Sequence, residues 1–277
     1  MSFIHGSSMD IRVSYIVITR NRLEQIRQAL PMWKGLKGPQ DELIVVDGAS
    51  TDGSYELLRD AEPGLIDVLI HEKDRSEAHA DNKGILAARG RYIKIIADDD
   101  LFFREALEQA YAVMDANPDI DLLMCGGESI DRIKDKENLK PFFYQWYPDG
   151  TPMAQRYEFI TMNGQGMVLR RSAVPVTGLF DPRHLHCDTS FLTQATVRGA
   201  RMAYLRVKVY SHRVGAQSNS LFNVRKTYVY KAFGFKGLSR WRYVKRPGEA
   251  LRWFLQRAGL LSSVPDHEPA WDGKLLY

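Results

Sequence analysis

Residues 92–100 read YIKIIADDD, an apolar run that passes directly into three consecutive aspartates. The run from Tyr92 to Ala97 predicts a buried β-strand, because strands buried on both faces are nearly continuous apolar stretches. Asp98, Asp99 and Asp100 then stand at the carboxyl end of that strand. Open α/β sheets bind ligands at this end of their strands, so we expect the three aspartates to line a binding crevice.

The sequence before this stretch repeats the same alternation of strand and helix. Asn21, with Glu24 three positions later, predicts the capped start of a helix after the first strand. Further apolar strand patterns occupy Ile11 to Ile18, Leu43 to Val46 and Ile66 to Ile70. Steady alternation of this kind indicates an α/β fold with a mostly parallel sheet flanked by helices. The polar clusters at 19–21, 47–52 and 98–100 should therefore converge on one crevice.

The second half is less regular and ends in a basic tail. Short strands are predicted at Leu122 to Cys125, Met167 to Leu169 and Ala203 to Val209, and the body should end near Gly215. We therefore divide the chain into a domain at 11–215 and a basic helical C-terminal extension at 216–277. The extension holds 11 Lys and Arg against 4 Asp and Glu. Its predicted amphipathic helix, from Pro247 to Gly259, could contact an anionic membrane surface or pack on the domain.

Bulk composition excludes several classes. With 277 residues, of which 44% are hydrophobic, the chain can bury a sizeable core. It has no apolar run of about 18 residues and no secretory signal pattern, so we expect a cytoplasmic protein, with peripheral contact at the inner face of the membrane as an alternative. Cys125 and Cys187 are too few for a disulfide scaffold. The tail lacks a recognised nucleic-acid-binding motif, so we expect no nucleic acid partner.

Three adjacent carboxylates after a buried strand repel one another unless a cation offsets their charge. Mg²⁺ or Mn²⁺ commonly binds through one or two carboxylates together with substrate phosphates. Asp98, Asp99 and Asp100 therefore suggest a metal ion that holds a diphosphate. The structural alternative is a solvated turn or helix cap, where Asp is also common.

Four ordered pieces of sequence resemble one enzyme family. They are SYIVITRNR at 14–22, ELIVVDGASTDGS at 42–54, NKGI at 82–85 with ARGRYI at 88–93, and ADDD at 97–100. In this order they resemble the inverting nucleotide-diphospho-sugar glycosyltransferases of family 2, which have the Rossmann-like GT-A fold. The resemblance spans residues 11 to about 215 and implies transfer of a sugar from a nucleotide-sugar donor, with a UDP-sugar favoured.

The resemblance also assigns the donor site. It implies that Thr19 and Asn21 line the base and ribose pocket and that Asp47 hydrogen-bonds the nucleobase. A structural alternative for Asp47 is an Asx-turn over Ser50. Asp98 would contact the ribose or the metal, Asp99 would lie between the two ends of the cluster, and Asp100 would coordinate Mn²⁺ or Mg²⁺ directly.

The segment before NKGI departs from the family pattern. Ser76 and His79 stand where related segments often carry Gly and Asp, which leaves the donor base open. Arg75 or Lys83 could meet a phosphate or the base, although a lysine in the first turn of a helix is also often solvent-exposed.

An inverting transfer needs a base that takes the proton from the acceptor hydroxyl. Asp188 resembles the acidic motif that opens a helix in this family, with Cys187 in place of the first acid; its structural alternative is a helix N-cap. The resemblance further implies that Gln165 contacts the sugar or the acceptor. His186 could face the acceptor, and His212 is a candidate third metal ligand or simply a surface donor.

These residues favour a metal-dependent glycosyltransferase acting on a saccharide or lipid-linked saccharide acceptor, in bacterial-type surface polysaccharide or glycoconjugate synthesis. A sugar nucleotidyltransferase would carry a glycine-rich loop after the first strand, and a dinucleotide-binding oxidoreductase would carry G-x-G-x-x-G there; residues 19–22 contain no glycine. The remaining alternative is a catalytically silent nucleotide- or carbohydrate-binding module of a larger complex.

Overall fold

A computed structural model describes residues 10–131, 140–142, 164–183 and 187–214. The helices are α1 Leu23–Leu36, α2 Ser54–Arg59, α3 Glu77–Ala87, α4 Arg104–Ala116, α5 Val174–Thr177 and α6 Cys187–Val197. The strands are β1 Val13–Thr19, β2 Asp41–Asp47, β3 Val68–His71, β4 Tyr92–Ile96, β5 Leu101–Phe102, β6 Leu122–Asp131, β7 Lys140–Phe142, β8 Met167–Arg170 and β9 Met202–Val214. His186 and the whole extension at 216–277 lie outside the described residues.

One sheet organises the domain, in the order β3-β2-β1-β4-β8-β6-β9-β5, with β7 added against β6. The pairs β2–β3, β1–β2 and β1–β4 are parallel, so the α/β class and the parallel arrangement of the first half are confirmed. Beyond β4 the sheet becomes mixed, because β8 runs antiparallel to both of its neighbours. The irregular pattern of the second half corresponds to this change of direction.

Helices cover both faces of the sheet. On one face α1, α2 and α4 pack through buried residues such as Trp33, Leu58 and Tyr111. On the other face α3 and α6 pack through Ile85 and Phe191. The approach of α3 is close, because a Cβ on Gly84 would lie 2.3 Å from Cγ2 of Ile16 on β1. None of the helices in the described ranges is long and apolar enough to cross a membrane.

The predicted cap of the first helix is wrong. Asn21 does not cap α1; the residue before the helix is Arg22, which has no capping side chain. Instead, the side chain of Asp52, from the loop after β2, accepts a hydrogen bond of 3.0 Å from Leu23 N. The loop after β2 thus stabilises the start of α1, and Asn21 instead forms hydrogen bonds within the crevice.

Candidate functional site

The loops after β1 and β2 are joined at the carboxyl edge of the sheet. Asn21 donates from its backbone N to Ser50 Oγ at 2.8 Å, and its side-chain Oδ1 accepts from Thr51 N at 2.8 Å. Asn21 and Ala49 both have positive φ angles, 52° and 59°. Non-glycine residues rarely adopt this conformation, and Asn tolerates it better than most. Asn21 therefore fixes the two loops against each other.

Asp98 is held by two residues from the first loop. Thr19 donates to Asp98 Oδ2 at 2.9 Å, and Arg22 Nε donates to the same oxygen at 2.7 Å. Arg22 also reaches Asp99 Oδ2 at 2.5 Å, so one guanidinium bridges two of the three aspartates. Burial raises the pKa of Asp98, and the positive charge of Arg22 opposes that shift. Arg22 offsets part of the repulsion that the triple aspartate creates.

Asp100 is paired with His212. Both residues are brought together by β5 and β9, which are antiparallel with Leu101 opposite Ser211. His212 Nδ1 lies 2.9 Å and 3.1 Å from the two carboxylate oxygens of Asp100, which is almost fully buried. Burial on its own lowers the pKa of His212, but the hydrogen bond and charge of Asp100 outweigh it, so that the pKa is raised.

The side chains of Asp98, Asp100 and His212 offer atoms that commonly bind a divalent cation. Asp98 and Asp100 offer carboxylate oxygens, which Mg²⁺ and Mn²⁺ prefer, and imidazole is also a common transition-metal ligand. A carboxylate bound to one ring nitrogen, as Asp100 is to His212 Nδ1, typically orients the other nitrogen toward a metal. Asp98, Asp100 and His212 are therefore the residues that would hold the ion.

Asp47 ends β2 and is completely buried. Its carboxylate accepts from Ser50 N at 3.0 Å and from Ser50 Oγ, which is the Asx-turn contact considered as the structural alternative. It also lies 2.5 Å from His71 Nδ1 at the end of β3. The His71 side chain is 37% exposed, and its ring centroid is 3.9 Å from that of Tyr55. Asp47 thus fixes an aromatic pair at the edge of the crevice, and its nucleobase contact stays a prediction.

The sequence did not single out His71 or Tyr55. His71 ends a strand and Tyr55 lies one residue into a short helix, so neither position carries a motif. Flat rings at a nucleotide site commonly stack on bases. No local sequence signal marks His71, because its register with Asp47 is set by the pairing of β2 and β3.

Lys83 and Arg75 differ in their surroundings. Lys83 Nζ lies 2.8 Å from Asp74 Oδ1 and 3.2 Å from Glu72 Oε2, and it also donates to the carbonyl of Glu72 at 3.2 Å. This lysine therefore stabilises the loop between β3 and α3. Arg75 is exposed, and its backbone N donates to His79 Nδ1 at 3.2 Å. Of the two, Arg75 has the side chain that is accessible to a phosphate.

Asp188 lies in the first turn of α6, close to the aspartate cluster. Its Oδ2 accepts a hydrogen bond of 3.0 Å from Gly164 N, which lies outside the helix. A Cβ on Gly164 would lie 2.7 Å from Asp188 Cγ, so the glycine permits this approach. The charges of Asp100, Asp99 and Asp188 all act on His212, so the candidate base lies within electrostatic range of this candidate metal ligand.

Lys94 links β4 to the turn that contains Gln165. It was not predicted as a site residue from the sequence. It is fully buried on β4, and Nζ donates to Gln165 O at 2.5 Å and to Ile95 O at 3.1 Å. Burial lowers the pKa of Lys94 from 10.5 to about 7. The available signal was a lysine between isoleucines in a strand that is otherwise apolar. Gln165 itself is therefore held through its backbone carbonyl, next to the glycine that contacts Asp188.

The structure brings together Thr19, Asp98, Asp99, Asp100, His212 and Asp188, with Asn21 and Asp47 at the adjoining strand ends. Lys83 is engaged in ion pairs with the neighbouring loop. His186 is outside the described residues.

Comparison with known proteins identifies the family of this α/β domain. The family model described as "Glycosyl transferase family 2" matches residues 14–175, more than half of the chain. The chain belongs to glycosyl transferase family 2.

Individual relatives are more distant. The chain is 31% identical over 108 residues to an uncharacterized glycosyltransferase of Rickettsia bellii, covering 39% of this chain and 16% of that protein. It is 32% identical over 106 residues to TuaG of Bacillus subtilis, named a putative teichuronic acid biosynthesis glycosyltransferase, covering 37% and 41%. With ExoO of Rhizobium meliloti, a succinoglycan biosynthesis protein, identity is 27% over 131 residues, covering 45% and 38%. The chain spans less than half the length of these relatives.

Solved structures share the fold. The mannosyltransferase PcManGT from Pyrobaculum calidifontis, in complex with GDP-Man and Mn²⁺, superposes with a TM-score of 0.58 at 23% identity, covering 77% of this chain and 60% of that one. TarS of S. aureus, in complex with UDP-GlcNAc, gives a TM-score of 0.60 at 17% identity, covering 77% and 61%. The GT-A fold is confirmed by these similarities.

Proposed function

We propose that this protein is a metal-dependent inverting glycosyltransferase that moves a sugar from a nucleoside-diphosphate sugar, with UDP favoured, to a hydroxyl of a saccharide acceptor. The observation that carries the proposal is that Asp98 and Asp100 follow β4 at the carboxyl edge of the sheet, and that His212, the partner of Asp100, lies within range of the charge of Asp188. Metal ligands and a base must lie near the same anomeric carbon, because the ion would act on the diphosphate that leaves this carbon and the base on the hydroxyl that attacks it.

The donor half of the site is built to receive a nucleotide and a cation. Asp98 and Asp100, with His212, would hold Mn²⁺ or Mg²⁺. Once bound, the ion stabilises as a Lewis acid the negative charge that develops on the departing diphosphate. Thr19 and Arg22 keep Asp98 in place through its Oδ2 atom. The ring pair of His71, which is exposed, and Tyr55, which is half-buried, provides a surface on which a base can stack.

The acceptor half centres on Asp188. As the acceptor oxygen forms its bond to the anomeric carbon, Asp188 takes the hydroxyl proton. The bond from that carbon to the diphosphate oxygen breaks on the opposite side, and the leaving group keeps the electron pair. The configuration is therefore inverted. Gly164 N, which donates a hydrogen bond to Asp188, keeps the carboxylate in position.

The relatives support the class of substrate. PcManGT and TarS were solved with GDP-Man and UDP-GlcNAc respectively, so sugars attached to nucleoside diphosphates fit this fold. TuaG and ExoO are named for polysaccharide biosynthesis. We therefore propose a saccharide or lipid-linked saccharide acceptor in surface polysaccharide or glycoconjugate synthesis, at the cytoplasmic side of the membrane.

A ligand panel tests the proposal. Thermal unfolding would be followed with UDP-, GDP-, dTDP- and CDP-sugars, each with Mn²⁺ and with a chelator. A ligand at 100 times its Kd adds about 2.7 kcal/mol to the free energy of unfolding, and only one nucleotide family is expected to do so, in the presence of Mn²⁺. Slow donor hydrolysis by the same sample would separate the enzyme from a silent binding module, which binds the donor and leaves it intact.

A further inference from the structure

A second group of potential metal ligands lies between α3 and α6. Glu77 and Asp81 are four residues apart on α3 and so share one face of that helix, opposite Cys187 at the start of α6. One potential ligand atom from each of the three residues lies within 4.8 Å of the other two. None of these three residues is among the candidate catalytic residues or ligands described above, but the Cys187 thiol donates a hydrogen bond of 3.5 Å to Asp188 Oδ1.

Asp81 is the member of this group that is both acidic and buried. Its side chain is almost fully buried, at 4% exposure, and its Oδ1 atom has no hydrogen-bond partner in the part of the chain that the structure describes. A buried carboxylate without a donor or a cation is costly, and such groups are rare unless they have a role. Burial and the negative charges of Glu77, Asp188 and Asp74 raise the pKa of Asp81 well above its usual range.

Cys187 adds a sulfur to the two carboxylates. Burial, followed by the charges of Asp188 and Glu77, raises the pKa of its thiol far above the usual range. A metal ion that binds a thiol displaces its proton.

We propose that Glu77, Asp81 and Cys187 form a binding site for a thiophilic divalent cation of the zinc class. Zn²⁺ accepts Cys sulfur and carboxylate oxygen together and favours four ligands, of which water would supply the fourth. Mg²⁺ and Mn²⁺ prefer oxygen ligands, so the thiolate selects against the ion expected at Asp98 and Asp100.

The three ligand atoms would need to move only slightly closer together to bind one ion. In a tetrahedral site with bonds of about 2.0 to 2.3 Å, ligand atoms lie about 3.3 to 3.8 Å apart. Glu77 is exposed, so its longer side chain can move inward, while Asp81 and Cys187 are fixed by burial. The bound ion would connect α3 to α6, and so stabilise the helix that carries Asp188.

Cobalt spectroscopy tests the site without relying on activity. Co²⁺ added to the full chain is expected to give a thiolate-to-cobalt charge-transfer band in the near ultraviolet, and Zn²⁺, but not Mn²⁺, should remove it. Cys187→Ser should abolish the band, and Asp81→Asn should weaken Co²⁺ binding by about 10-fold or more. Cys125→Ser is the matched control, since Cys125 is also buried but lies on β6.

The proposal is overturned if the wild-type chain binds Co²⁺ without a charge-transfer band, since only oxygen and nitrogen ligands would then be involved. It is equally overturned if the band survives Cys187→Ser or disappears in Cys125→Ser. Circular dichroism establishes that each variant is folded. If Cys187→Ser does not fold, the Co²⁺ affinities of Asp81→Asn and Glu77→Gln provide the test. Unchanged affinity in both variants would exclude the site.

Discussion

At the scale of single residues, Asp188 is the proposed general base. Its carboxylate accepts from Gly164 N rather than serving only its own helix. Asp188→Asn is expected to lower kcat about 10²- to 10⁴-fold, which is about 3 to 5 kcal/mol of barrier, because the amide cannot accept the acceptor's proton. The affinity for the donor in the presence of Mn²⁺ should equal that of the wild type. Transfer kinetics would measure kcat, and calorimetry with UDP would measure the affinity.

Asp181→Asn provides the comparison for this prediction. Asp181 lies seven residues earlier and pairs with Arg183 at 2.6 Å. A folded Asp188→Asn enzyme that turns over at the wild-type rate would contradict the assignment. The same experiment would then point to Asp181 if that variant alone were inactive.

Gly164 permits the close contact with Asp188, and this gives a second residue-scale prediction. In Gly164→Ala the new Cβ would lie 2.7 Å from Asp188 Cγ, so the carboxylate must shift. Displacing a catalytic group by about 1 Å can cost about 10²-fold in rate, and we expect a loss of kcat of that order. Gly35→Ala is the control, because a Cβ there meets nothing within 4 Å. Equal kcat in the two variants would contradict this arrangement.

At the scale of elements, Lys94 links β4 to the turn at Gly164–Gly166 through Gln165 O. Its pKa is about 7 in the folded chain against 10.5 for a free lysine, so between these values the unfolded state binds the proton and the folded state does not. The free energy of unfolding should therefore rise with pH in this window, by up to about 1.4 kcal/mol per pH unit from this residue. Below about pH 7 both states are protonated and the contribution is flat.

Lys94→Met should remove that slope. Urea unfolding between about pH 7 and about pH 10 would compare the variant with the wild type and with Lys34→Met, whose lysine is 61% exposed. We expect Lys34→Met to retain the wild-type slope and Lys94→Met to be flatter. Identical slopes in all three proteins would show that Lys94 is charged in the folded state.

The elements also show what the sequence could predict. The apolar strands before 100 were located because each is a continuous run, and their parallel order followed from the alternating helices. The capping of α1 was not predictable, because Asp52, from another loop, satisfies Leu23 N. The direction of β8 and the two-residue β5 carry too little local signal, since their pairing is decided by distant partners.

The residues of the candidate site likewise include some that the sequence predicts and some that it does not. Asp98, Asp100 and Asp188 were identified because they fall in motifs at strand or helix ends. Arg22 and Lys94 were missed because their roles depend on residues more than 70 positions away, Asp98 and Gln165. His71 was missed for the related reason that its partner, Asp47, lies on the neighbouring strand. Contacts of this kind become visible only when the strands are assembled.

At the scale of the whole molecule, the basic extension at 216–277 is predicted to contact either an anionic membrane surface or the domain itself. If it binds anionic membranes, association of the full chain with vesicles of anionic lipid should weaken as salt rises, because exposed charges are screened over about 10 Å at about 0.1 M ionic strength. Vesicle sedimentation at low and high salt would measure this. Absence of binding at low salt would favour packing of the extension on the domain.

The central claim is that the aspartate cluster binds the nucleotide through a metal ion, and calorimetry of UDP binding to Asp100→Ala tests it most directly. With Mn²⁺ present, wild type and the surface control Asp119→Ala should bind UDP equally, and a chelator should abolish binding in both. Asp100→Ala should remain folded and lose the Mn²⁺-dependent part of the affinity, because it lacks a ligand and the partner of His212. Equal UDP affinity in Asp100→Ala and wild type, with Mn²⁺ present, would contradict the account.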